Sequence, residues 1–240
     1  MTSKTSRRDT LATLNQRKWL RKVPLAGAFL NVFFPNMCPL CNHVIPGDTI
    51  LCSNCLEKLL LLSPFPAPLR GRESMEKVHV YASYDSILGR LVRAYKFGPF
   101  PHVSRFLAFF AHELYRFWLL DGWIVPVPPH PASLRVRGFS NTGEICTQIT
   151  RQYDSVPVAS GAVRRRHSRY VPQSTLQLME DRQKNIRGAF QALPGKVPQN
   201  VVLFDDVMTG GFTLSELSKT LQPVTRKQVG LVLVSGQLDQ

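Results

Sequence analysis

A chain of 240 residues with 44% hydrophobic residues can hold one substantial domain and a small module, and its composition is that of a globular protein. Lys and Arg number 30 against 16 Asp and Glu, a net charge of +14 and a pI of ≈ 10.0. That balance selects anionic partners (nucleic acid, phosphorylated metabolites or an acidic membrane surface), although solubility alone would also account for it, and no apolar run reaches the length of a membrane span.

Residues 1–22 carry seven Lys or Arg and one Asp, and read as a disordered or loosely helical arm, with nucleic-acid contact as the functional alternative. Residues 23–34 (VPLAGAFLNVFF) follow as an apolar segment. No small-residue cleavage site succeeds it, and cutting inside Ala26-Gly27-Ala28 would leave half of it behind. The expectation is a cytoplasmic protein in which this segment packs on the next module.

That module, bounded at 23–70, holds Cys38, Cys41, Cys52 and Cys55: one C-x2-C turn, a ten-residue loop and a second C-x2-C turn. Paired knuckles at this spacing point to a tetrahedral Zn2+ site that uses all four thiolates, and so to a structural ion with no position open for a substrate. Two disulfides are the competing pattern, disfavoured because nothing else in the chain looks secreted. His112-Glu113 is not part of a zinc-protease motif, since Arg116 stands where the second histidine would be. Cys146 falls in a predicted helix and reads as core. A short helix over 56–62 and the proline-rich run 63–68 close the module, leaving 71–240 as the main domain.

In the main domain the pattern predicts a strand over 78–84, a helix over 86–96, a longer aromatic-rich helix over 102–120 with Phe106, Phe109, Phe110, Phe117 and Trp118 as core, and a strand over 123–127. The proline-rich stretch 128–139 then reads as a loop. Arg135 and Arg137, before Gly138, can fork onto a pyrophosphate as a second phosphate site, or serve only as surface arginines. His130 is an acid/base candidate or an ordinary loop histidine. A helix over 141–152 and a strand over 155–163 follow. The basic segment 164–190 is too long for a plain connector. Closure over an anionic substrate, a solvated face and single-stranded nucleic acid are its three readings.

The most informative stretch is 200–213, NVVLFDDVMTGGFT. An apolar strand (201–204) leads to Asp205 and Asp206, then to a loop of Met208, Thr209, Gly210, Gly211, Phe212 and Thr213, and Leu214, Leu217 and Leu221 continue at helix spacing. Strand ends in a parallel sheet are where ligands bind, and a helix N-terminus with glycine-exposed amides and threonine hydroxyls suits a phosphate. Carboxylates repel phosphate but suit sugar hydroxyls or Mg2+ beside it. Helix capping by the aspartates is the plain alternative. A last apolar strand covers 229–234.

Asp205, Asp206, Thr209, Gly211 and Thr213 resemble the phosphoribosyl-pyrophosphate motif of type I phosphoribosyltransferases. Gly210 replaces its second threonine, and Phe212 stands where a small residue is usual. The larger order resembles the ComF family: the double cysteine knuckle, Val-Pro-Val-Pro…Arg-Gly-Phe over 125–139, Arg…Pro-Gln-Ser…Asp-Arg…Asn…Gly-Ala-Phe over 164–190, and the acidic Gly/Thr loop. The resemblance spans roughly 25–235. It implies an α/β fold of the type I phosphoribosyltransferase kind, a parallel sheet flanked by helices with a small N-terminal zinc module. It also implies a part in competence, DNA uptake or nucleotide metabolism. Two functions follow as expectations. One is binding of phosphoribosyl pyrophosphate or a related sugar phosphate, with transfer of the phosphoribosyl group as the reaction it would allow, with Asp205 and Asp206 as the catalytic pair, Mg2+ beside them, residues 208–213 on the 5-phosphate, and Arg135, Arg137 and Gly138 on the pyrophosphate. The other is non-catalytic handling of single-stranded DNA.

Overall fold

The computed structural model describes residues 6–16, 36–46, 49–65, 69–70, 75, 77–98, 100–166 and 186–236. The apolar segment at 23–34, the turn at 47–48 and most of the basic segment, 167–185, lie outside the described residues. In chain order the elements are helices α1 (Arg7–Leu14) and α2 (Ser53–Leu60), strands β1 (Leu69–Arg70) and β2 (Lys77–Ser83), helices α3 (Ile87–Phe97) and α4 (Ser104–Phe117), and strand β3 (Trp123–Pro126). Helices α5 (Pro131–Arg137) and α6 (Asn141–Gln152), strands β4 (Val163–Arg165), β5 (Phe190–Ala192) and β6 (Asn200–Met208), helix α7 (Phe212–Leu221) and strand β7 (Lys227–Ser235) follow.

The main sheet runs β1-β2-β7-β6-β3. β2, β7, β6 and β3 are parallel, and only the two-residue edge strand β1 is antiparallel. This is the helix-flanked parallel sheet that the resemblance implied. Alternation along each strand divides the apolar side chains between two faces. Val202 and Phe204 of β6 join Tyr81, Leu88, Phe106, Phe110 and Ile145 in one cluster. Val201 and Leu203 join Leu214, Leu217 and Leu221 of α7 in the other. Each fully buried leucine stabilises by about 1.5–3 kcal/mol, so three on one stripe fix how α7 lies on the sheet.

The helices start where polar caps precede periodic apolar residues. Ser86 accepts from the Gly89 amide at 3.2 Å to open α3, and Ser140 accepts from the Gly143 amide at 3.0 Å to open α6. A Cβ at Gly89 would lie 1.8 Å from the Tyr84 carbonyl oxygen, so only glycine permits the helix to start that close to the end of β2.

Four expectations change. The stretch 128–139 is not all loop: Pro131 sits at the first position of α5, where a missing amide costs nothing, and His130 Nδ1 accepts from the Ala132 amide at 3.0 Å. Gly138, at φ 77°, ends the helix. The strand expected over 155–163 is a single parallel bridge between Val158 and Ile124, after which a turn (Ala162 amide to Ala159 carbonyl, 3.1 Å) releases the chain into β4, antiparallel to β5. Phe117, expected in the core, is 53% exposed at the last residue of α4. Finally, the N-terminal arm contains the ordered helix α1, because Leu11 and Leu14 at i, i+3 bury against the body. Arg7 also reaches three partners: Glu113 Oε2 at 3.1 Å, the Tyr81 hydroxyl at 2.6 Å and the Leu60 carbonyl at 3.1 Å. Among the described residues no helix is long and apolar enough to cross a membrane.

Candidate functional site

Two clusters carry chemistry. The first is the knuckle. Cys38, Cys41, Cys52 and Cys55 bring their sulfurs within 4.8 Å of one another, and Cys41 and Cys52 are 3.6 Å apart. A tetrahedron with Zn–S near 2.3 Å has edges of about 3.8 Å, so the donor set fits a tetrahedral thiolate ion such as zinc. Local structure makes the fit. The Cys38 amide donates to the His43 carbonyl at 2.8 Å, and the Asn42 amide to the Cys38 carbonyl at 2.9 Å, closing the first turn with Asn42 at φ 57°. Cys52 is the residue before α2, which puts Cys55 one turn away on the buried face. All four thiols are free of disulfides. Arg90 of α3 donates to the Leu40 carbonyl and ties the knuckle to the body.

The second cluster is the acidic turn. β6 runs longer than its apolar run requires, and Asp205 and Asp206 occupy its carboxyl end, opposite Val232 of β7 and just beyond the last β3 pair, Pro126–Phe204. Asp206 is 3% exposed. Lys96 Nζ, from the last turn of α3, lies 2.7 Å from its Oδ1. Its other oxygen, Oδ2, is buried and accepts no hydrogen bond among the described residues. Its amide donates to Asp205 Oδ1 at 2.9 Å. Burial first, and the Asp206 charge second, hold the Asp205 carboxyl well above the ordinary carboxylate range, with Lys96 opposing.

Past the acids the backbone turns. Gly211 takes the left-handed region at φ 72° and stands before α7 without a side-chain cap. Among the described residues nothing accepts a hydrogen bond from the amides of Thr209, Gly210, Gly211 or Thr213. A Cβ on Gly210 would lie 2.8 Å from the Phe212 ring. The two departures from the motif are thus one exchange: the phenyl ring stands where a side chain at 210 would go. The ring flanks the turn without filling it, since a cavity of about 160 Å³ remains, lined by residues 205–214 and Lys96.

A larger cavity of about 470 Å³ adjoins it and shares Lys96, Asp205, Asp206 and Thr213. Of the other residues singled out by sequence, Arg137 and His130 line this larger space, while Arg135 and Gly138 do not and are exposed. Met208, Thr209, Gly210, Gly211 and Phe212 line only the smaller one. Sequence reasoning missed Lys96, Phe97, Asn141 and Thr142. Lys96 looked like the charged end of an amphipathic helix, and no local pattern pairs it with Asp206. Asn141 is 7% exposed, and its Oδ1 is buried without a hydrogen-bond partner among the described residues. Thr142 holds this corner by donating to the Val127 carbonyl at 2.8 Å. Arg165, inside the segment read as a flap, also lines the larger cavity.

No family model matches the chain. Over 191 residues it is 26% identical to Competence protein F of Haemophilus influenzae, an alignment taking in 74% of this chain and 75% of that protein.

Proposed function

From the premise that the chain belongs to the ComF family, we propose that the turn from Asp205 to Thr213 binds phosphoribosyl pyrophosphate or a closely related sugar phosphate. The observation that carries this reading is the Oδ2 of buried Asp206, which has no partner among the described residues, beside the amides of Thr209, Gly210, Gly211 and Thr213, which have no acceptor among them either. Buried polar atoms are normally satisfied, so a cluster of idle donors next to an idle acceptor calls for a ligand that has both kinds of group. A sugar phosphate does. Its hydroxyls donate to the carboxylates, and its phosphate accepts from the amides of Thr209, Gly210, Gly211 and Thr213 at a helix N-terminus.

The residues divide the work by charge. Lys96 fixes Asp206 and offsets part of the cost of burying the pair. Magnesium, when bound with the pyrophosphate, would be held by Asp205 and Asp206 and would spread the charge of the leaving group; the Asp206 Oδ2, without a hydrogen-bond partner among the described residues, offers it an oxygen ligand. Arg137, aided by Arg165, faces the larger cavity and balances a departing pyrophosphate. The chemistry open to such a site is displacement at the sugar C1: the bond to pyrophosphate breaks with its electron pair leaving on oxygen, and a nucleophile bonds to C1. Calorimetry with phosphoribosyl pyrophosphate and magnesium should show binding by the parent and its loss in Asp205→Asn at unchanged fold. Equal binding by both proteins refutes the assignment.

A second reading follows from the name of the relative, a competence protein, and from the run Arg164-Arg165-Arg166, whose middle residue lines the larger cavity. Here the basic surface tracks single-stranded DNA without catalysis. Affinity would then fall with salt, log K dropping by about 0.7 per log unit of salt for each phosphate contacted. Binding that ignores salt, or none at all, removes this reading.

A further inference from the structure

We infer that Asn15 is a positioning residue for the metal-binding knuckle, and that docking of α1 and retention of the ion form one linked equilibrium. This linkage is independent of the sugar-phosphate reading above.

The second half of the knuckle is held from outside. Residues 49–51 lead directly into Cys52, and the end of α1 grips their backbone. Asn15, the residue that caps the C-terminus of α1, is 8% exposed. Its Oδ1 accepts from the Leu51 amide at 2.7 Å and from the Ile50 amide at 3.2 Å, and its Nδ2 donates to the Leu51 carbonyl at 2.9 Å. The Asn15 carbonyl also accepts from the Ile50 amide at 3.0 Å, and Gln16 forms an antiparallel bridge with Thr49. One side-chain amide thus meets both polar backbone groups of the residue before a metal ligand.

Burial gives this grip its weight. Ile50 and Leu51 are 2% and 1% exposed, so water does not reach their backbone freely. Without Asn15 the Leu51 amide and carbonyl lose the partner that stands in for solvent. The loop must then shift to find another, and Cys52 shifts with it. A tetrahedral thiolate site with Zn–S near 2.3 Å tolerates little such movement.

Helix α1 extends the same constraint to the main domain. Leu11 and Leu14 share a buried cluster with Cys38, Leu40, Cys55 and Leu59. Arg7 bonds to Glu113 and Tyr81, and Arg105 of α4 donates to the Gln16 carbonyl at 3.3 Å. The helix is seated on the knuckle and on the main domain at once. Whatever holds the four thiolates in place therefore favours the docked helix, and by linkage the docked helix favours metal binding.

Zinc affinity of the full chain, measured by competition with a chelator, tests the first half of the proposal. Asn15→Ala should weaken it by about 10–100-fold, as loss of an outer support does at other metal sites. Arg7→Ala, far along the helix from the thiolates, should weaken it by a smaller factor, about fivefold. Unchanged affinity in Asn15→Ala refutes the positioning role, and unchanged affinity in Arg7→Ala refutes the linkage. The second half needs no variant. Amide hydrogen exchange of the parent chain, with zinc bound and after chelation, should show protection lost at residues 11–15 while β6 and β7 keep theirs. Residues 11–15 that stay protected overturn the proposal. So does protection lost equally in β6 and β7, since α1 would then have no tie of its own to the knuckle.

Discussion

The cysteine knuckle and the acidic turn each gather groups that repel when ionised, and they resolve that repulsion in different ways. The knuckle is complete: four thiols face one point, and its turns are closed by its own backbone bonds. The acidic turn is unfinished. Lys96 satisfies one oxygen of Asp206, the other has no partner among the described residues, and Asp205 keeps a raised carboxyl pKa. A closed cluster of four thiols leaves no ligand position open once an ion fills it. An open one must keep donors and acceptors in reserve, and that reserve costs stability.

The largest effect should come from breaking the closed site. Structural zinc supplies about 10–16 kcal/mol in small knuckle peptides. Cys55→Ser should therefore release the ion, measured as loss of one zinc equivalent by elemental analysis, and lower the melting temperature by well over about 10 °C. A variant that keeps its melting point would show that the knuckle is dispensable and the contrast false. The open site should respond less in stability and more in binding. Asp206→Ala leaves Lys96, only 20% exposed, without its partner. Such orphaned charges cost about 3–5 kcal/mol, read as a shift in the urea midpoint. An unshifted midpoint would mean that solvent already screens the pair. The smallest effect tests the Gly210–Phe212 exchange. Gly210→Thr forces the ring aside and should cost about 1 kcal/mol. The double variant with Phe212→Ala should recover most of it, a coupling that a double-mutant cycle in chemical denaturation measures directly. Simple additivity would show that the ring and the glycine are unrelated.

What was legible in the chain follows the same division. The knuckle was readable from cysteine spacing alone, because all its ligands lie within 18 residues and their geometry is local. β6 and the acids were readable as an apolar run ending in two carboxylates, and α3 from Ile87, Leu88, Leu91, Val92 and Tyr95 falling on one side of a helix. Helix α5 was hidden because a Pro-Pro-His-Pro string reads as loop, although Pro131 at a helix start is a permitted use of proline. Helix α1 was hidden by its charges, with only Leu11 and Leu14 to mark a buried side. Lys96, Phe97 and Asn141 had no local signal: their meaning comes from the distant strand end they face. Tertiary placement, not propensity, makes them part of a site.

The anchoring of α1 has a consequence for how the protein is made. Arg7 bonds to Leu60, Tyr81 and Glu113, so the partners of an early turn are synthesised long after it. At ribosomal speeds, Glu113 emerges on the order of ten seconds behind Arg7. During that interval Leu11 and Leu14 can pack on α2 of the knuckle module, but the Arg7 side chain lacks its carboxylate until the fourth helix appears. The locking of this chain therefore does not proceed strictly from front to back; its first helix is secured only once the fourth has been made.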